Sequence, residues 1–287
     1  MDIVERRLNS TRAQLETLEK DLDGWTAGTA QERQSLSTGM TLTLLDTLYS
    51  QILDEAFRDF SPKEKGRDDR HSILHTFLCT AERTSASVVA DLLFTSDYTD
   101  VAEKLLSDLH AVLYCKHGGV LAYHKSFLEF IFDQDRSGKF WCDKAMHHRL
   151  LADACFRCMK DGLHFNIANI PSSFVLDVDN TMLADAVEEN IPPVLKYSCR
   201  DWSYHVSAAT STILDGLHDT LSEFLELRAL FWIEAMNLLR LCGLCDSMLR
   251  TVHDWAISSQ ASFLSFEYSA ADLPCHLGQL AISRKAN

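Results

Sequence analysis

The sequence predicts a mainly α fold, and three observations carry that expectation. Glycine and proline are scarce, 11 and 5 in 287 residues, too few for the many tight turns of an all-β or α/β chain. Apolar residues recur at spacings of three and four through most of the chain. Extended patterning is confined to one short stretch, "VLYCKHGGVLAYH".

Residues 1–39 are polar and charged, with a thin stripe of Leu8, Leu15, Leu18 and Leu22. They read either as a short amphipathic helix with a linker or as an unstructured segment. Residues 40–60 place Leu45, Leu48, Tyr49, Ile52, Ala56 and Phe60 on one helical face. Pro62 and the charged run "KEKGRDDR" are expected to end that helix, giving a linker element over 40–70. Three short helical patterns follow. They carry Ile73, Leu74, Phe77 and Leu78, then Val88, Val89, Leu92 and Leu93, then Val101, Leu105, Leu109 and Val112. Two strands joined by a loop holding Gly118 and Gly119 form a hairpin. "SFLEFIF" restarts a helix, with Ser126 and Glu129 at capping-box spacing. Three helices and then a hairpin wing is the plan of a winged-helix domain, here over 71–135.

From residue 139 to about 260 the pattern is a helical array. "KFWCDKAMHHRLLADACFRCMKDG" runs to a stop signal at Lys160 and Gly162. "TMLADAVEENI" stops at Pro192–Pro193, and "PVLKYSCRDWSYHV" follows. The stretch from Ser211 to Gly243 puts Leu214, Leu217, Leu221 and Phe224 on one face, and "CDSMLRTVHDWAISS" comes next. Residues 261–287 form a tail without a strong period.

The balance of charge narrows the function. Acidic residues outnumber Lys plus Arg by 41 to 27, a net charge of −14, which disfavours non-specific binding to nucleic acid or anionic membrane. No apolar run reaches the roughly 20 residues that span a bilayer. The start "MDIVERRLNS" has no apolar core of a signal peptide, and the odd number of scattered cysteines forms no disulfide framework, so a cytoplasmic protein with reduced thiols is expected.

Several motifs invite a chemical reading. "FVLDVDNTML" reads like the nucleophile strand of haloacid-dehalogenase phosphatases, with Asp177 attacking phosphorus and Asp179 as general acid. That chemistry needs further phosphate-holding and magnesium-binding residues on a parallel sheet, and the sequence downstream is helical. The plainer expectation is a loop in which Asp179 or Asn180 caps a helix. Asp133, Asp135, Ser137 and Gly138 fit an EF-hand loop, but its last chelating position is Lys144. A polar turn is expected there. Cys155/Cys158 and Cys242/Cys245 have Cys-x-x-Cys spacing, yet they are far apart and fit core packing better than a zinc knuckle. His147 and His148 point about 100° apart on a helix and are expected to straddle a core edge rather than share a metal. No P-loop is present. In the third helix of the winged-helix plan one lysine faces Asp100, Glu103 and Asp108, so a DNA-associated regulator is a second, weaker alternative to the phosphatase.

The stretches "LLDTLYSQILDEAF", "ILHTFLCTAERTSASVVADLL" and "LHAVLYCKHGGVLAYHKSFLEFIF" resemble the segment that follows the nucleotide-binding NACHT module in fungal NLR-like STAND proteins. "MHHRLLADACFRCM", "NIPPVLKYSCRDWSYHV" and "LRALFWIEAMNLL" resemble the helical domain that comes next, before the WD repeats. The likeness covers about residues 40–257 and points to the large NACHT/WD-repeat families of mushroom-forming fungi. It implies a non-catalytic regulatory and interaction module, without catalytic residues, metal or resident cofactor. It also implies that His124, in "YHKSFLEF", matches the histidine that donates to the β-phosphate of ADP when a NACHT domain is supplied in trans. The implied partners are proteins, a NACHT domain or a full-length paralogue, with no nucleic acid and no membrane. Neither the P-loop domain nor the WD repeats are found in this sequence, so the resemblance implies a truncated paralogue, a gene fragment, or an arm that acts on an intact partner.

Overall fold

The computed structural model describes residues 30–58, 65–82, 84–93, 98–171, 180–209 and 216–269. Residues 1–51 and 52–287 make up two compact units. In the first, the described chain is helical, and Thr47 turns its hydroxyl back onto the Thr43 carbonyl at 2.8 Å.

The described residues are mainly helical, as expected. In chain order they form α1 (Ala30–Ala56), α2 (Lys65–Cys79), α3 (Ala86–Leu93), α4 (Thr99–Asp108), β1 (Leu113–Lys116), β2 (Gly119–Ala122), α5 (Lys125–Ile131) and α6 (Gln134–Ser137). A 3₁₀ turn at Gly138–Phe140 leads to α7 (Lys144–Gly162), α8 (Leu183–Asn190), α9 (Pro193–Ala208), α10 (Leu217–Leu227) and α11 (Ala229–Leu238). A second 3₁₀ turn, Cys242–Leu244, precedes α12 (Cys245–Ser269). No described helix is long and apolar enough to cross a membrane. The residues of the aspartate motif, Phe174 to Asp179, and those of the N-terminal stripe lie outside the described residues.

Helices α2, α3 and α4 pack against one another, and β2 packs on α2. The apolar positions of these helices form the core as the periodicity predicts, with Ile73, Leu74, Val89, Leu92 and Leu105 essentially inaccessible. Strands β1 and β2 pair antiparallel, Leu113 opposite Ala122 and Lys116 opposite Gly119. Two residues turn the hairpin, His117 at φ +54° and Gly118 at +79°. Positive φ at both central positions is the type I′ geometry that matches strand twist. Gly119 therefore lies in the strand and not in the loop. A Cβ at Gly118 would meet nothing within 4 Å, so Gly118→Ala is expected to cost about 1 kcal/mol through backbone strain alone, measured by urea unfolding. Beyond the hairpin, the Val120 N–H donates to the Thr84 carbonyl at 3.1 Å, which ties the α2–α3 connection to β2.

Three local expectations are corrected. The charged run before residue 71 does not stay outside the helices: Lys65–Arg70 are the first turns of α2. Arg70 explains why. It is 3% exposed, and its guanidinium donates to the Ala56 carbonyl at 2.6 Å and to Asp108 at 3.3 Å, a buried role a solvated charge run would lack. The capping box is also absent: His124 is the N-cap of α5, Ser126 is buried inside the helix, and Glu129 pairs with Lys125 at 3.0 Å instead of reaching back. The polar turn at 133–138 is helical, because the Asp133 carboxylate accepts from the N–H groups of Asp135 and Arg136.

The array behaves as its pattern predicts, with differences at its breaks. Asp143 caps α7 by accepting from the Met146 N–H at 3.0 Å. Gly162 does end α7, but its use is close approach: a Cβ there would lie 2.9 Å from Leu195 Cδ2 on α9. Asn180 accepts from the Met182 N–H at 3.2 Å, just ahead of α8, and α9 starts with Pro193 in the first turn, where its missing N–H costs nothing. The stretch from 217 to 238 is two helices, broken at Arg228 with φ −129°. Helix α12 runs to Ser269, past the expected end near 260. Val88 and Leu92 of α3 share one apolar cluster with residues of α7, α9, α10, α11 and α12, so the first helices and the array are built on a continuous core. At its centre Trp202 meets Phe156 at 5.5 Å, Phe224 at 5.0 Å and Trp232 at 5.8 Å between ring centroids.

Candidate functional site

Three polar arrangements stand out against this apolar interior. The first is His124, at the end of the hairpin and exposed. Its Nδ1 accepts from the Ser126 N–H at 3.1 Å and lies 2.7 Å from the Ser126 hydroxyl. An imidazole nitrogen that accepts cannot carry the proton of the neutral ring, so that proton sits on Nε2. The cap thus fixes the tautomer and leaves a donor at the outer end of the ring. The Ser126 amide is spent on this contact.

The second arrangement was not predicted. His75 on α2, Cys142 just before α7 and His147 on α7 each place a potential ligand atom within 4.8 Å of the other two. These residues line a cleft of about 650 Å³, together with Ser72, Asp143, Met146 and Arg149. The His75 Nε2–H donates to the Phe140 carbonyl at 3.1 Å. The Thr76 hydroxyl gives its proton to the Ser72 carbonyl at 2.8 Å, so it accepts from the His147 Nε2–H at 2.9 Å. Both rings therefore carry a proton on Nε2, and in the neutral form the lone pair is on Nδ1. Burial holds the two imidazoles below the usual range, His75 to about 4 and His147 to about 3, with the neighbouring histidines adding to the effect. Cys142 is 1% exposed, and its Sγ lies 4.0 Å from that of Cys79. The contact with Cys79, and then burial, push the Cys142 thiol up. The described cysteines are all free.

The third arrangement is a chain of buried polar side chains. The Tyr197 hydroxyl and His205 Nε2 are 2.7 Å apart, and His205 Nδ1 is 2.9 Å from His148 Nδ1. Tyr197 also accepts from the Ala81 N–H at 3.4 Å, so its own proton goes to His205. His205 then donates to His148, whose Nε2–H is buried without an oxygen or nitrogen acceptor and whose ring meets Tyr204 edge-on at 5.2 Å. His147 and His148 do point to separate surroundings, as their adjacency on a helix requires. What sequence reasoning missed is that His147 meets residues on another helix. The available signal was a pair of short spacings, His75-x-x-x-Cys79 and Cys142-x-x-x-x-His147. The Cys155/Cys158 pair sits in α7 with Cys155 fully buried, and burial raises its thiol, as core packing predicts.

No family model, no curated protein and no solved structure matches this chain.

Proposed function

We propose that this protein is a non-catalytic regulatory arm: a winged-helix domain, with β1–β2 as its wing, followed by a helical array, that docks on the nucleotide domain of a NACHT-type signalling ATPase supplied by another chain. The observation that carries this reading is the arrangement around the hairpin. Three mutually packed helices lead into a type I′ wing, the Val120 N–H reaches back to Thr84, and His124 stands at the wing's end with an outward Nε2 donor. A neutral donor of fixed tautomer suits a phosphate oxygen held by a neighbouring domain. Lys104 is the one cation of α4, the helix that would read a DNA groove, and it is bridged to Asp108 at 2.7 Å, which favours a protein partner over nucleic acid.

The test uses a purified NACHT-type domain, loaded with ADP or with a non-hydrolysable ATP analogue, and this full chain. Capture of the chain by the ADP form is expected, with binding about ten-fold weaker, roughly 1.4 kcal/mol, for the ATP-analogue form or for His124→Ala. Equal binding in all three cases, or micromolar binding of labelled ADP by this chain alone, overturns the reading.

A further inference from the structure

We infer that His75, Cys142 and His147 form a binding site for a zinc-class divalent cation, a site that goes beyond the docking role and does not depend on it.

The donor set is two imidazole nitrogens and one sulfur, drawn from two helices and the turn between α6 and α7. Zinc takes nitrogen at roughly 2.0–2.1 Å and thiolate sulfur at roughly 2.3 Å, so tetrahedral ligands sit about 3.4–3.8 Å apart. Ligand atoms already within 4.8 Å of one another need to draw in by only about an ångström. This combination of ligands suits zinc better than the hard cations, which take oxygen.

The surroundings support the inference. Each histidine has its Nε2–H held by a protein oxygen, Phe140 for His75 and Thr76 for His147. An outer hydrogen bond of that kind fixes the ring plane and keeps the other nitrogen unprotonated, the pattern seen around metal-bound imidazoles. Cys142 is anchored at its backbone, where its N–H donates to the Ile131 carbonyl at 3.0 Å. Asp143 lines the same cleft and brings negative charge beside the ion. Three protein ligands leave a fourth position, and the cleft supplies it with water. On binding, the Cys142 S–H bond breaks, its proton goes to solvent, and the sulfur binds the cation as thiolate. Cys79 loses only a weak thiol contact. The ion would tie α2 to the start of α7 and so fix the first helices to the array.

The test is cobalt substitution on this chain, stripped of metal, followed by zinc displacement with a colorimetric chelator as the readout. One equivalent of Co²⁺ is expected to bind at micromolar or tighter affinity, with a thiolate-to-cobalt charge-transfer band and the intense visible bands of tetrahedral cobalt. Cys142→Ser should abolish the charge-transfer band while circular dichroism stays helical. The double variant Cys242→Ser/Cys245→Ser, away from the site, should retain both band and stoichiometry. Equimolar Zn²⁺ should also raise the thermal midpoint of the wild-type chain by several degrees. A folded wild-type chain that takes up no cobalt overturns the inference, and so does a band that survives Cys142→Ser or is lost in the double variant. None of these readouts involves a NACHT domain, so failure here leaves the docking test unaffected.

Discussion

Replacing Trp202 by alanine is expected to destabilise the protein by about 3–5 kcal/mol, the range found when a large buried aromatic is truncated. Trp202 is completely inaccessible and touches rings from three other helices, Phe156 on α7, Phe224 on α10 and Trp232 on α11. Deleting it removes the contacts that hold four helices to one centre, and the neighbours cannot all collapse into the space. Trp202→Phe separates two effects. The Trp202 indole N–H is buried with no oxygen or nitrogen acceptor, so the phenyl ring removes an unsatisfied donor while leaving a smaller void. Its cost should be well below that of alanine. The same change at Trp232 should cost more than at Trp202, because the Trp232 indole N–H donates to the Cys199 carbonyl at 2.8 Å and that bond would be lost. Urea unfolding of the three variants checks the order. Equal losses for Trp202→Phe and Trp202→Ala would mean that the ring cluster is not the centre of the core.

The helices of this core were legible because burial repeats with the helical period. Leu217, Leu221 and Phe224 fall on one face in the sequence and on the buried face in the fold. The hairpin was legible for a different reason, since two strand-like runs around a glycine leave few other options. What the sequence hid depends on contacts between distant residues. Arg70 lies in a run of charges, and its bonds to the Ala56 carbonyl and to Asp108 reach residues 14 and 38 positions away. Ser126 has the ideal residue type and spacing for a cap, yet a histidine side chain takes that role because the chain enters α5 from β2 with extended φ and ψ at His124. The break at Arg228 sits within unbroken apolar periodicity, so no pattern marks it. His75, Cys142 and His147 carry no shared motif, and their meeting follows from the packing of α2 on α7. The histidine proposed to face a phosphate was legible as a residue, while the tautomer that makes it a donor became readable only with the Ser126 contact in place.

Acid should weaken this protein at pH values where its carboxylates are still ionised. His148 and His205 are both inaccessible to solvent. Burial holds His148 at about 4, with Lys144 adding to the effect, and His205 at about 3, with His148 and His147 adding to it. Both values lie below the 6.5 of a free imidazole, so between those limits the unfolded chain binds more protons than the folded one. Stability therefore rises with pH through this window. It is fully present above roughly pH 6.5 and is lost as pH falls towards the folded values. Geometry gives the reason. The two Nδ1 atoms stand 2.9 Å apart and share one proton. Protonating His148 would set two N–H groups against each other, and protonating His205 would set its Nε2–H against the Tyr197 O–H that it accepts from. At about pH 5 each of these imidazoles removes about 2 kcal/mol, and the pair about 4, a large part of the 5–15 kcal/mol of a typical domain. His75 and His147 shift in the same direction and steepen the loss. Urea unfolding at about pH 7, 6 and 5 should therefore give a midpoint that falls sharply with acid. His148→Gln should start lower at neutral pH, because the chain from Tyr197 is disturbed, but should lose less on acidification, since one titrating group has gone. A midpoint that stays level from neutral pH to about pH 5 would mean that these rings gain protons without resistance, and that the Tyr197–His205–His148 chain is not closed to water.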